Sequence, residues 1–224
     1  NVDHGALLNL LEQHLDLSPK GTHTQPDVAR YTGGDSIVKK SLEQLQLVLG
    51  VEAMPITHDL YNTLQILSIV LGGGMSSRLF QEVREKRGLV YTIQSFTSCY
   101  QDTGFFGVYA ATGEKESKEL LPLITQEWNK ICDAISEEEL VRAKNQQKAS
   151  LLMARESSSS VAEWIGRHLL QFGEYRTASE IAKKIDAITV AEVMALAAQL
   201  FGKPSLTLAA LGPTKHMAAA RAVL

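Results

Sequence analysis

The segment Leu71–Tyr91, LGGGMSSRLFQEVREKRGLVY, holds the residues with the most chemical potential in the chain. It joins Gly72, Gly73 and Gly74 to Ser76 and Ser77, then to Arg78, Arg84, Lys86 and Arg87, and closes on Tyr91. Glycines beside hydroxyls and cations could cradle a phosphate. A P-loop, however, needs G-x-x-x-x-G-K-[ST] with its lysine at the phosphate, and no lysine stands there. A dinucleotide loop follows a strand and opens a helix, whereas the pattern before these glycines is helical. The plainer reading is a helix C-cap running into an N-cap, with glycine in the left-handed conformation and Ser76 or Ser77 capping the next turn. The charges that follow, Glu82, Glu85 and Lys86 among them, fit a solvated face of i,i+3 and i,i+4 pairs.

Other chemistries find no complete set of groups. Neither H-E-x-x-H nor H-x-x-E-H occurs. His4 and His14 are too far apart for a helical metal pair, and His168 lies five residues after Glu163, on a different helix face. Cys99 and Cys132 lack the C-x-x-C spacing of a thiolate zinc site and read as two separate reduced thiols. No G-x-S-x-G elbow is present, so Ser157–Ser160 reads as a polar break and helix cap. No metal ligands are therefore expected on this chain.

These residues need elements to hold them. Asp3–Leu17 shows leucines at a 3.6 period and reads as a helix, which would have to pack on something upstream. Residues 18–35, rich in proline, glycine and small polar residues, read as a linker. Ser41–Val51 alternates as a half-buried strand, and a helix capped by Thr57 or Asp59 runs from there to the glycines. A short helix to Lys86, ended by Gly88, precedes two strands, Leu89–Tyr100 and Gly104–Thr112, joined by the QDTG turn. Helices fill most of the rest. Four S/T-x-x-E capping boxes, at Ser136, Ser160, Thr177 and Thr189, mark their starts. Pro204–Gly212 is a last strand. Hairpin-linked strands with runs of helix predict an α+β fold with an antiparallel or mixed sheet.

Size and composition agree with that class. The chain has 224 residues, 45% of them hydrophobic, enough to bury a core. A net charge of −3 gives no basic excess, so nucleic acid is not an expected partner. No apolar run approaches the roughly 18 residues of a membrane span.

Taken together, Leu71–Tyr91 resembles the signature of the C-terminal half of the pitrilysin-type (inverzincin) zinc metallopeptidases, and within them the mitochondrial processing peptidase β-subunits and their bacterial relatives. NVDHGALLNLLEQHL is similar to the last helix of that family's first domain, YTGGD to the start of its second, and SEEELVRAKNQQKASLLMARESSSSVAEWIGRHLLQFG to its helical stretch. The resemblance implies residues 1–17 as the terminal helix of an N-terminal domain, 18–35 as a linker and 36–224 as a processing-peptidase-like αβ domain. It also implies a division of labour: an H-x-x-E-H half would carry zinc, while this half supplies an arginine and a tyrosine seven residues apart. Arg84 and Tyr91 have that spacing, with Arg87 a rival for the arginine. Their implied role is to bind peptide substrate and stabilise the transition state. Zinc is then expected in the complete enzyme and not on this chain, which alone would be inactive. The implied partners are a zinc-bearing N-terminal half or subunit, a peptide substrate and, in some assemblies, a second copy in a homodimer. The alternative is a non-catalytic family subunit, structural or heterodimeric. The short GGG favours the catalytic type, because α-type subunits carry a longer glycine-rich loop. The compartment stays open, a bacterial cytoplasm or periplasm fitting the resemblance better than a mitochondrial matrix.

Overall fold

A computed structural model describes residues 2–16, 27–202, 205–217 and 221. The expected linker falls partly outside them, at residues 17–26. The order is α1 (His4–His14), β1 (Gly34–Lys39), β2 (Leu45–Ala53), α2 (Tyr61–Gly72), a π-helix (Phe80–Lys86), β3 (Val90–Cys99), β4 (Gly104–Thr112), α3 (Ser117–Asp133), α4 (Glu137–Met153), α5 (Ser158–Phe172), α6 (Ala178–Ala187), α7 (Val190–Phe201) and β5 (Leu206–Gly212). The class is α+β, as the hairpin and helical runs predict.

The five strands form one sheet in the order β1-β5-β2-β4-β3. β1 runs parallel to β5 and every other pair is antiparallel. On β2, Leu45, Leu47, Leu49 and Val51 are fully buried while Gln46, Val48 and Glu52 are only partly so. This period of two puts one face under the helices and leaves the other open. Leu64, Leu67 and Leu71 of α2, Leu120 and Ile124 of α3, and Leu196 and Leu200 of α7 join the same core. Trp128 stacks on Phe201 at 4.6 Å, which in turn meets Phe106 edge-on. The stack leaves the Trp128 indole N–H without a partner among the described residues.

Several local readings are corrected. β1 went unrecognised because all six of its residues are exposed, so no buried face marks it. α2 begins after Leu60 without a side-chain cap; neither Thr57 nor Asp59 caps it, and His58 instead accepts the Leu60 N–H at Nδ1. None of Gly72, Gly73 and Gly74 has a positive φ. Gly72 and Gly73 are small for lack of space. A Cβ on Gly72 would stand 2.5 Å from the Ser95 nitrogen, and one on Gly73 2.5 Å from the Ile69 Cα. α2 therefore lies directly on β3, where Ser68 and Ser95 bond through their hydroxyls and Gln65 donates to Thr97. Ser77 does not cap the next helix; its hydroxyl donates back to the Gly74 carbonyl. The boxes at Ser136, Thr177 and Thr189 form as expected. At the fourth position the helix starts earlier, with Ser157 as cap, and Glu163 pairs with Arg167.

The turn after the glycines is fixed by charge. Arg78 grips Glu139 with two bonds, of 2.6 and 2.9 Å, and donates a third to the Ala134 carbonyl. Glu139 also accepts the Ser136 N–H. The Arg78 bonds, above all, hold its carboxyl at about 2 instead of 4.5. The lowered value makes this carboxylate's stabilisation complete above its unfolded pKa and lost as pH falls from about 5 toward 2. A displacement of that size corresponds to about 3 kcal/mol. Glu139→Gln is expected to lower stability at pH 7 by about 2–3 kcal/mol and to flatten the acid limb, measured by urea unfolding against pH. Gly72→Ala is expected to cost about 2 kcal/mol or more, through displacement of α2 from β3, read as a fall in the urea midpoint.

Candidate functional site

Arg84 and Tyr91 sit on either side of one glycine turn at the edge of the sheet. Arg84 lies on the π-helix, which is anchored by the fully buried Val83 and follows the equally buried Leu79. Gly88, at φ 62°, ends it in the left-handed conformation that glycine adopts without strain. The Gly88 N–H bonds the Arg84 carbonyl and the Leu89 N–H reaches back to the Val83 carbonyl, so β3 begins at once.

Tyr91 owes its direction to a β-bulge. Val90 pairs with Thr112 and Thr92 pairs with Ala111, which leaves Tyr91 as an extra residue with no partner of its own. Val90 and Ile93 are buried in the core, while Tyr91 and Thr92 between them are exposed. Ala111 belongs to the open face of β4, so Thr92 and the bulged Tyr91 both turn away from the helices. The Tyr91 side chain is 70% exposed and has no hydrogen-bond partner among the described residues.

The electrostatics separate the cations of the segment. Glu82 binds Lys86 at 2.9 Å and Arg87 at 3.5 Å, and its carboxyl is held below its ordinary value chiefly by the Lys86 bond. Arg78 is committed to Glu139. Arg84 has no carboxylate partner among the described residues; its guanidinium lies 4.7 Å from the centre of the Phe80 ring one turn back. Arg84 is thus exposed, charged and oriented, with no donor bonded among the described residues, whereas the rival Arg87 shares the Glu82 carboxylate with Lys86. The missed contributors are Glu82, which removes the competitors, and Phe80, which steadies Arg84; their i,i+4 spacing to Lys86 and Arg84 was the available signal.

The remaining candidates are structural. His168 is buried against Trp164, Phe172 and Tyr175, and its Nδ1 accepts the Arg176 N–H. Burial pushes its pKa below the ordinary value. Cys99 and Cys132 are both free, and burial raises the Cys99 thiol to about 11. Among the described residues no group of three or more His, Cys, Asp and Glu could hold a metal ion, so these residues do not fit a zinc site. No helix among them is long and apolar enough to cross a membrane.

What the arrangement offers is a hydroxyl and a guanidinium, both donors, beside an open sheet face. Such a pair can polarise and hold carbonyl oxygens but cannot by itself generate a nucleophile.

Comparison with known proteins bears on the family and the fold. An uncharacterized zinc protease of Rickettsia felis is 38% identical over 95% of this chain and 52% of its own length. The chain spans about half the length of the curated relatives it matches. Among solved structures, a protease from Helicobacter pylori superposes with a TM-score of 0.81 at 24% identity, covering 95% of this chain and 53% of that one. A chain of complex III2 from Candida albicans, solved with Inz-5 bound, reaches 0.85 at 21% identity, covering 100% and 56%. At those identities the likeness establishes the fold. The family model described as the peptidase M16 inactive domain matches residues 1–147, and the chain therefore belongs to the M16 peptidase family as an inactive-domain member.

Proposed function

We propose that this chain is the substrate-facing C-terminal half of a zinc metalloendopeptidase, and that Arg84 and Tyr91 complete an active site whose metal is held by another half or subunit. The observation that carries the reading is the bulge at Tyr91, which turns a phenol with no partner among the described residues onto the open sheet face, seven residues after the one arginine of Leu71–Tyr91 that lacks a carboxylate partner among them. The zinc-protease naming of relatives twice as long supports it.

The metal of the other half would supply Lewis-acid activation for peptide hydrolysis. This chain's own part is binding and electrostatics. Negative charge grows on the scissile carbonyl oxygen as the bond is attacked, and the Tyr91 hydroxyl donates a hydrogen bond to it. Arg84 donates to a neighbouring backbone carbonyl of the substrate and holds the peptide extended. The leucine face of α1 supports the same assembly. Leu7, Leu8, Leu10, Leu11 and Leu15 are all exposed, and α1 buries no residue. In this reading α1 packs on the zinc-bearing half, the chain after it links the two, and the C-terminal domain begins with β1 at Gly34, two residues before the expected 36. An uncommitted arginine and tyrosine favour this over a purely structural subunit, in which neither side chain would have to be kept free.

Tyr91→Phe in the complete enzyme is expected to lower kcat by about 10²–10³. The melting temperature is expected to stay within about 1 °C, because the exposed hydroxyl makes no bond in the fold. Unchanged turnover in a steady-state peptide assay would remove Tyr91 from the site. This chain alone, dialysed against trace zinc, is expected to retain no stoichiometric metal; one zinc per chain by elemental analysis would contradict the division of labour.

A further inference from the structure

The open face that carries Tyr91 also carries an aromatic platform farther along the same strand. Gly50 of β2 and Gly107 of β4 stand opposite each other in register, and Phe96 of β3 stands opposite Gly107. With no side chains there, the Phe105 ring lies across both glycines, and the Phe96 ring lies across Gly107, 2.8 Å from where its Cβ would be. The two rings meet at 5.9 Å, and both remain partly exposed. Tyr31 closes one end, 6.4 Å from Phe105, with its hydroxyl 2.6 Å from the Thr207 hydroxyl.

Three further observations say what the platform would take. Phe96 lies on the same face as Thr92 and the bulged Tyr91, because Thr92, Gln94 and Phe96 alternate with Ile93, Ser95 and Thr97, which meet the core and α2. β3 is the edge of the sheet, and beyond the bulge at Tyr91 it carries no charge and no proline of the kind that keeps another strand from adding. Five residues of strand separate Tyr91 from Phe96, a path of about 16 Å, which an extended peptide covers in four to five residues.

The geometry points to Phe96 and Phe105 as a specificity subsite for an extended peptide substrate, one that accepts a large apolar side chain four to five residues from the scissile bond. This rests on the reading of Tyr91 as the group beside that bond. Rings already flattened on a glycine floor need no rearrangement to receive an aromatic or branched side chain. Extended pairing along β3 would contribute affinity, and the platform would contribute selectivity.

The test uses the complete two-half protein and labelled peptides of about a dozen residues, in which one phenylalanine or one alanine occupies each position from three to six residues on either side of the cleaved bond. Binding is measured by fluorescence anisotropy with the metal chelated, and turnover with metal present. With the native protein, the phenylalanine peptide is expected to bind about tenfold tighter than its alanine twin at one position four or five residues from the bond. In Phe96→Ala this preference is expected to fall below about threefold, and in Phe96→Leu to keep most of its size. A preference unchanged in Phe96→Ala overturns the proposal. So does an equal loss for every peptide, which would make the platform only a seat for the Tyr31 segment. Selective binding that needs Phe96 but comes with no hydrolysis keeps the subsite and sinks the peptidase reading. Turnover that needs Tyr91 but ignores Phe96 does the reverse.

Discussion

The core asks β3 for something a regular strand cannot give. Val90 and Ile93 must both be buried, yet they are three apart, and a strand repeats every two residues. One surplus residue resolves the conflict, and the surplus is Tyr91. The tyrosine is therefore turned outward by the packing requirement of its neighbours, and no contact of its own is needed to hold it there. The close approach of α2 at Gly72 fixes the other side of the strand, because the Ser95 nitrogen sits where any Cβ at Gly72 would be. Strand, helix and bulge thus set the direction of the phenol jointly.

This explains what could and could not be read in advance. Capping boxes are local chemistry, and three of the four formed at the helix starts they predict. The hairpin at Gln101–Gly104 and the helical runs were equally local. Conformational freedom is the local meaning of a glycine tract, whereas Gly72 is set by the closeness of Ser95, more than twenty residues away, which no local pattern carries. β1 was invisible for a related cause: pairing with a strand more than 160 residues away is all that defines it.

For the candidate site, the resemblance named the right pair of residue types, while the physics that distinguishes Arg84 from its neighbours is tertiary and electrostatic. Glu82 takes both Lys86 and Arg87, and Glu139 takes Arg78. A count of the segment's charges yields four cations and two carboxylates; the arrangement yields one arginine without a carboxylate partner among the described residues, held over Phe80. Chemistry here depends on which charges are already satisfied, and composition is silent on that.

The π-helix and the β-bulge share a property. Each holds one residue more than the regular repeat of its element, and they are separated only by the Gly88 turn. Two such surpluses in succession make the segment a length standard. Losing one residue between 80 and 92 would let the helix wind regularly or the strand alternate strictly, and either change rotates the phenol toward the hydrophobic layer or slides the guanidinium around the helix. The hairpin tip at residues 101–103 has no such duty. Variation in chain length is therefore permitted at one end of β3 and forbidden at the other, so the strand has an inherited polarity that its composition does not reveal.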